Sequence, residues 1–148
     1  MTAQPPLSLK TAVSRLVPFV HVADVDASLA FYSFFGLERE STMQDPEGRT
    51  FWALARNRDA EIMLARASGP IDAEQQAVLF YLYSQDINAL RRHLLDSGLH
   101  DAGTYTGKAT PDDTSSSAYR ITQPEYMPGG ELRVVDPDGY VILVGQLE

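Results

Sequence analysis

The histidine at position 21 is the first side chain in this sequence whose type and position suggest chemistry. It lies in a β-branched and aromatic run, residues 18–22 (PFVHV), that predicts a largely buried strand. Strand alternation places His21 on the same face as Val17 and Phe19. An imidazole there can serve as a general base, a hydrogen-bond donor to a ligand or a metal ligand, and the simplest interpretation is a strand-end histidine bonded to a neighbour. We favour a ligand-lining or structural role over a catalytic one.

Carboxylates that could join this histidine in a metal site are few. Glu61 lies two residues before Met63 and therefore shares its strand face. One histidine and one glutamate fall short of a metal site, which needs a third protein ligand. Glu125 and Glu131 are the remaining candidates for that role, and neither stands out. An ion pair with a nearby arginine, Arg133 or Arg49, is the simpler interpretation of Glu131.

Aromatic rings and a thioether form the predicted wall of a ligand pocket. Rings provide flat contact area and attract cations at their faces. Core packing explains Phe19 and Tyr81 equally well, but Tyr126 and Met127 lie in a proline-bounded loop, residues 123–130 (QPEYMPGG), which we predict to be a lid or pocket wall. Tyr119 is a further aromatic candidate. The predicted ligand-binding residues are Phe19, His21, Trp52, Glu61, Met63, Tyr81, Tyr83, Tyr126, Met127 and Arg133.

Several kinds of chemistry lack their sequence signatures. No set of serine, histidine and aspartate with a nucleophile elbow is present. The glycines at 129 and 130 follow a proline and precede a predicted strand, which is the wrong setting for a phosphate-binding loop. The chain has no cysteine, and this excludes disulfides and thiolate metal sites.

Composition narrows the class of protein further. The 148 residues suit one domain, and a hydrophobic share of 44% with 22% charged residues is globular. A net charge of −8 argues against nucleic acid as a partner and permits a cationic ligand, although acidity is also a common route to solubility. No apolar run approaches the roughly 20 residues of a membrane helix, and no secretory apolar region opens the chain. We therefore expect a soluble cytoplasmic protein without a membrane partner.

The elements that position these side chains occur twice. Residues 24–37 (DVDASLAFYSFFGL) and 86–99 (DINALRRHLLDSGL) share an initial aspartate, apolar residues at helical spacing and a final Gly-Leu. A strand-like run precedes each copy, and further strand-like segments follow it. A repeat of this length suits two halves of one domain, each built as a strand, a helix and further strands.

The predicted elements follow from this repeat. In the first half they are a strand at 16–22, a helix at 26–35, and strands at 38–43, 50–55 and 61–65, the last of which has the look of an edge strand. In the second half they are strands at 78–83, 118–122, 131–135 and 140–144 and a helix at 87–97, with the polar stretch 99–117 as a long functional or mobile loop. Asp136 and Asp138 are predicted to form a turn and nothing more. We divide the chain into an arm at 1–13 and one domain at 14–148, with module one at 14–67, a linker at 68–76 and module two at 77–148.

This combination resembles the vicinal oxygen chelate superfamily, which includes glyoxalase I, the extradiol dioxygenases and the bleomycin resistance proteins. The resemblance implies an α+β fold of two βαβββ modules whose strands curl into a partial barrel around a cavity. It also implies a homodimer, since many members are homodimers. The matching residues are Val22, Asp24, Ser28, Phe31, Tyr32, Gly36 and Leu37 in the first half and residues 136–140 (DPDGY) in the second.

Metal ligands are the main departure from the superfamily pattern. Its enzymes hold a divalent metal with His, Glu or Gln on inward strand faces, and the resemblance carries these positions to Val17, Met63 (or Leu64), Leu79 or Phe80, and Leu143. Apolar side chains offer no oxygen or imidazole nitrogen to a metal. We therefore expect no cofactor.

Two functions remain. The preferred hypothesis is a metal-free binding protein, similar to the bleomycin resistance branch, that sequesters a small cationic or aromatic molecule in its cavity. The alternative is a metal-dependent lyase, isomerase or dioxygenase of the same superfamily that uses a displaced site around His21. The expected partners are a small-molecule ligand and a second copy of the chain.

Overall fold

The first module is a four-stranded sheet with one helix. The computed structural model describes residue 8, residues 10–97 and residues 121–147. The elements of this module are β1 (Phe19–Val22), α1 (Val25–Ser33), β2 (Glu38–Gln44), β3 (Thr50–Asn57) and β4 (Ala60–Arg66). The strands lie in the order β1-β4-β3-β2, with β1 parallel to β4 and the other pairs antiparallel.

The second module repeats the plan, with three strands among its described residues. After a short 3₁₀ turn (Ala73–Gln75) come β5 (Leu79–Ser84), α2 (Ile87–Asp96), β6 (Glu131–Val135) and β7 (Val141–Gln146). The sheet order is β5-β7-β6, with β5 parallel to β7 and β6 antiparallel to it. Thr122 forms an isolated bridge to Glu131 at the end of the predicted short strand 118–122, whose residues 118–120 lie outside the described ranges, as does the whole of the polar stretch 99–117. The α+β prediction with two related modules is confirmed, and the described strands form two open sheets.

Both helices begin as the repeated aspartates predict. The Asp24 carboxylate accepts the backbone N–H of Ala27 at 3.1 Å, and Asp86 accepts that of Ala89 at 3.0 Å. Past the first helix, Gly36 adopts a φ of +88°, which a glycine tolerates at no steric cost. The repeat in the sequence therefore encodes equivalent helix starts.

Most boundaries differ from the predicted ones by one to three residues, and one placement is wrong. The first strand begins at Phe19 instead of position 16, since Pro18 has no N–H to donate to a ladder. The first helix ends at Ser33, earlier than predicted. The segment predicted as an edge strand is β4, which lies between β1 and β3, and its Leu64 is fully buried.

Each sheet has one face that packs on its helix and one open face. In β1, Val20 and Val22 are buried in the common core, whereas Phe19 and His21 point to the other side and are exposed. The same alternation in β5 leaves Leu79, Tyr81 and Tyr83 exposed. We call these surfaces the first open face, on the four-stranded sheet, and the second open face, on the three-stranded sheet.

The turn between β6 and β7 fastens the second module to the first. Asp138 accepts the backbone N–H of Ala23 at 2.9 Å and the Ser28 hydroxyl at 3.4 Å. Asp136 accepts the Tyr32 hydroxyl at 2.7 Å. Both carboxylates are buried, so the interpretation of these aspartates as turn formers alone is incomplete. They join the strand–helix unit of one module to the closing hairpin of the other.

Candidate ligand-binding site

The first open face brings four of the predicted site residues onto one surface. Phe19 pairs with Met63 across β1 and β4, His21 pairs with Ala65, and Trp52 of β3 also pairs with Ala65. Because paired residues share a face, Phe19, His21, Trp52 and Met63 lie on the same side of the sheet. A shallow hollow of about 530 Å³ opens beside Phe19 and Trp52. The hollow is lined mainly by apolar side chains and 54% of Phe19 is exposed, so it offers contact area for a ring or for another chain.

Glu61 lies on this face but already has charged partners. Its carboxylate accepts from the Arg15 Nε at 2.8 Å and from the Arg56 Nε at 2.7 Å. These bonds, that from Arg15 first, lower the pKa of the Glu61 carboxyl below its ordinary value. Its negative charge is therefore compensated inside the protein, and the structure places Glu61 in an ion-pair network that also includes Glu40.

His21 lies at the end of β1 with an exposed side chain. Its ring meets the Phe19 ring edge-on at a centroid distance of 5.9 Å, and its backbone carbonyl accepts the Tyr140 hydroxyl at 3.0 Å. Within residues 10–97 and 121–147, no group of three or more His, Asp or Glu side chains is arranged to hold a metal ion. The side chains at the four superfamily positions do not fit a divalent metal either, since all of them are apolar.

The second open face is organised around Glu131. Its Oε2 accepts the Tyr81 hydroxyl at 2.7 Å, and its Oε1 accepts the Tyr126 hydroxyl at 3.0 Å. The carboxylate is only 8% exposed although it lies on the side of the sheet away from α2. Two phenols therefore hold one carboxylate between them, and a strand and a loop meet at this point.

A glycine makes this arrangement possible. Gly145 of β7 stands between Tyr83 of β5 and Glu131 of β6 in the strand register. A Cβ at Gly145 would lie 2.7 Å from the Met127 Cε and 3.0 Å from the Tyr81 Cε1. Met127 and Tyr81 thus pack directly on bare backbone, in space that any other residue would fill. We call Glu131, Tyr81, Tyr83, Tyr126 and Met127 the Glu131 cluster.

The electrostatics of the cluster keep both phenols protonated. Burial of its hydroxyl, followed by the hydrogen bond to Glu131, raises the pKa of Tyr81. For Tyr126 the hydrogen bond to Glu131 is the main cause of a raised pKa. Both hydroxyls therefore remain donors to the carboxylate. The rings of Tyr81 and Tyr83 are 5.2 Å apart at their centroids, so the cluster presents adjoining aromatic surfaces.

The sequence predicted most members of this cluster but missed its centre. Tyr81, Tyr83, Tyr126 and Met127 come together, and Arg133 lies one row further along the same face, opposite Leu143. Glu131 was considered only as a metal ligand or as the partner of an arginine, whereas the structure pairs it with tyrosines. Period-two alternation from Arg133 places Glu131 on this face. Its contact with Tyr126 depends on the loop and has no signal in spacing. Tyr119 lies outside the described residues.

The fold and the two faces define a class of protein: paired strand–helix–strand modules whose open sheet surfaces carry aromatic groups. The chain belongs to the Glyoxalase/Bleomycin resistance protein/Dioxygenase superfamily, whose family model matches residues 15–144. No curated protein matches the chain.

Solved structures agree with this assignment. A bleomycin-binding protein complexed with bleomycin is 22% identical with a TM-score of 0.62, and the match covers 92% of this chain and 100% of that one. The bleomycin-binding protein of Streptomyces verticillus, complexed with copper(II)-bleomycin, is 17% identical with a TM-score of 0.60, over 93% and 99% of the chains. TnmS3, an antibiotic-binding protein from Streptomyces sp. CB03234, is 20% identical with a TM-score of 0.56, over 93% and 99%. At these identities the likeness concerns the fold. Among the described residues, no helix is long and apolar enough to cross a membrane.

Proposed function

We propose that this protein binds a small organic molecule on its open faces and sequesters it without the metal of the superfamily's enzymes. The observation that carries the proposal is the Glu131 cluster: a carboxylate held by two phenol hydroxyls on an otherwise open sheet surface. A ligand site typically combines apolar walls with a few well-placed polar groups, and this cluster has both. The antibiotic-binding neighbours support binding as the mode of action, since three of them are named for it.

Exposed apolar side chains support a homodimer as the working unit. Phe19 and Met43 on the first open face are 54% and 53% exposed, and Leu79 and Tyr83 on the second are 55% and 60% exposed. Apolar surface of this extent on a water-soluble protein marks a site of association or ligand binding. In the proposed dimer, the open faces of two copies enclose the ligand between them. We also place the protein in the cytoplasm, on the composition of the chain alone.

The metal-free part of the proposal rests on donor chemistry. Divalent metals of this superfamily need oxygen or imidazole ligands, and the equivalent positions here carry apolar groups. Carboxylates on the open faces have other partners: Glu61 is paired with arginines and Glu131 with tyrosines. The alternative of a metal-dependent lyase, isomerase or dioxygenase around His21 gains no further ligand from the described residues.

The experiment that tests this function is a thermal-shift screen with aromatic small molecules, beginning with metal-free bleomycin and copper(II)-bleomycin. A ligand that binds only the folded state raises the melting temperature as its concentration exceeds the dissociation constant. We expect a hit that stabilises the wild type but not Tyr83→Ala, which removes an exposed ring of the Glu131 cluster. Val13→Ala is the matched control, because Val13 is an exposed apolar residue outside both faces.

Three results would overturn parts of the proposal. A stoichiometric metal in the purified protein, with a melting shift that follows metal concentration, would favour the enzyme and direct attention to His21. Sedimentation equilibrium that finds a monomer both with and without the hit compound would exclude the dimer. A screen in which no compound distinguishes wild type from Tyr83→Ala would remove the binding function from the second open face.

A further inference from the structure

We propose that the group recognised by the Glu131 cluster is a positively charged nitrogen, a protonated amine or a quaternary ammonium, attached to a flat apolar body. This inference rests on the proposed binding function and names the chemical class of the ligand. It concerns the second open face alone, where charge, aromatic surface and exposure coincide.

The charge of Glu131 is the first step of the argument. Its carboxylate is 8% exposed, and its partners within the described ranges are two neutral phenols and not a cation. Hydrogen bonds from phenols offset part of the cost of removing a carboxylate from water, but they leave its negative charge in place. The four ion pairs between one described residue and another use the carboxylates of Glu40, Asp45 and Glu61, and Glu131 is in none of these four. The cluster therefore keeps a net negative charge beneath an aromatic surface.

The rings provide the surface on which a cation binds. A cation is attracted to the face of an aromatic ring, and the attraction increases when water is excluded. A phenol that donates to a carboxylate has a more electron-rich ring, so Tyr81 and Tyr126 strengthen the negative potential that Glu131 creates. Tyr83 and Tyr126 are 60% and 67% exposed, so the rings are open to solvent although the carboxylate is not. In this arrangement Glu131 acts through the tyrosines as a positioning residue.

Arg133 supplies the competing hypothesis. Arg133 lies at an exposed position one row along the same face and already takes part in an interaction of its own, and a guanidinium there would favour an anionic ligand. Glu131 is the buried one of the two residues, and a charge in a low-dielectric setting acts more strongly than one at an exposed position, so burial favours the glutamate as the determinant. A preference for cationic ligands would therefore indicate Glu131 as the determinant, and a preference for anionic ligands would indicate Arg133.

The test uses three probes that share one ring system: 9-aminoacridine, a cation near neutral pH; acridine, which is neutral; and acridine-9-carboxylate, an anion. Each is titrated with the full-length protein at about pH 7.5 and followed by ligand fluorescence. We expect 9-aminoacridine to bind about tenfold more tightly than acridine, with the anion weakest, which is the scale of a desolvated cation–aromatic contact. Salt should weaken binding of the cation more than that of acridine.

Variants separate the charge of Glu131 from its structural role. Glu131→Gln keeps the shape of the side chain and should reduce the preference for the cation to less than about threefold, while acridine binds as before. Glu125→Gln removes an equal charge from the loop that precedes β6 and should retain the full preference. Tyr81→Phe, which keeps the ring and loses the hydrogen bond, provides a second variant if Glu131→Gln lowers the melting temperature, and we expect an intermediate preference from it.

The outcomes distinguish this inference from the function on which it rests. Equal binding of the cation and acridine, unchanged in Glu131→Gln, would keep a binding function and overturn the ligand class. Preference for acridine-9-carboxylate would overturn it in favour of Arg133. If none of the three probes binds while the thermal-shift screen yields a ligand, the cluster does not recognise flat cations and the inference is wrong.

Discussion

Replacement of Asp136 by asparagine should change how the stability of this protein depends on pH. Asp136 is fully buried and accepts three hydrogen bonds, from the Tyr32 hydroxyl and from the backbone N–H groups of Asp138 and Tyr140. Those bonds favour the carboxylate, but burial outweighs them and raises the pKa of Asp136 to about 6 from an ordinary 3.8. Between these two pH values, the folded protein therefore holds a proton on Asp136 that the unfolded chain has released.

The sign and size of the effect follow from this difference. A carboxyl whose pKa is higher in the folded state adds stability below its unfolded pKa, and this contribution is lost as the pH rises through about 6. Complete titration corresponds to about 3 kcal/mol of unfolding free energy, at about 1.4 kcal/mol for each pH unit between the two values. Between about pH 4.5 and 7.5 the part that is lost is about 2 kcal/mol.

The assay is urea unfolding of the wild type and Asp136→Asn across that range. Asparagine cannot ionise, so the unfolding free energy of the wild type should fall by about 2 kcal/mol relative to the variant as the pH rises. Asp59→Asn, in the exposed turn between β3 and β4, removes an equal charge and should follow the wild type at every pH. If Asp136→Asn and the wild type give parallel curves, or if the wild type gains relative to the variant at high pH, the buried carboxyl does not behave as argued.

Two glycine substitutions separate folding from binding. Gly139→Ala should lower the unfolding free energy by more than about 2 kcal/mol in urea unfolding, because its φ is +88° and a Cβ would lie 2.4 Å from the Ala73 carbonyl oxygen, which is backbone and cannot move aside. Comparable stability of the variant would contradict the close contact. Gly145→Ala should lower stability by about 1 kcal/mol, because its Cβ would displace the flexible end of Met127 and lie 3.0 Å from the Tyr81 ring. It should also weaken 9-aminoacridine binding severalfold by shifting the Met127 side chain. Unchanged binding would show that Met127 does not shape the site.

The sequence predicted those features of the fold that depend on a few neighbouring residues. The aspartates at 24 and 86 cap their helices as short carboxylates do, and alternation in β1 correctly placed Phe19 and His21 on one face, although that face is exposed and the strand is not largely buried. The predicted start of β1 was wrong because of a single residue, Pro18, which has no N–H to donate to the sheet. The prediction that β4 is an edge strand was wrong for another reason. Whether a strand lies at the edge or in the centre of a sheet depends on which strands pair, and the parallel pairing of β1 with β4 joins segments that are distant along the chain.

For the candidate site, the sequence predicted aromatic pocket residues that the structure brings together in the Glu131 cluster, and the resemblance to the superfamily supplied the positions that lack metal ligands. They could not identify Glu131 as a centre, because its two phenol partners come from β5 and from the loop before β6, and only the packed sheet brings them within hydrogen-bond distance. The same holds for Asp136. Its turn motif is visible in the sequence, but the Tyr32 hydroxyl that donates a hydrogen bond to its carboxylate belongs to the other module. Local propensities and periodicity act over a few residues and are present in the sequence. Burial, charge compensation and pKa shifts arise from neighbours that only the tertiary fold supplies.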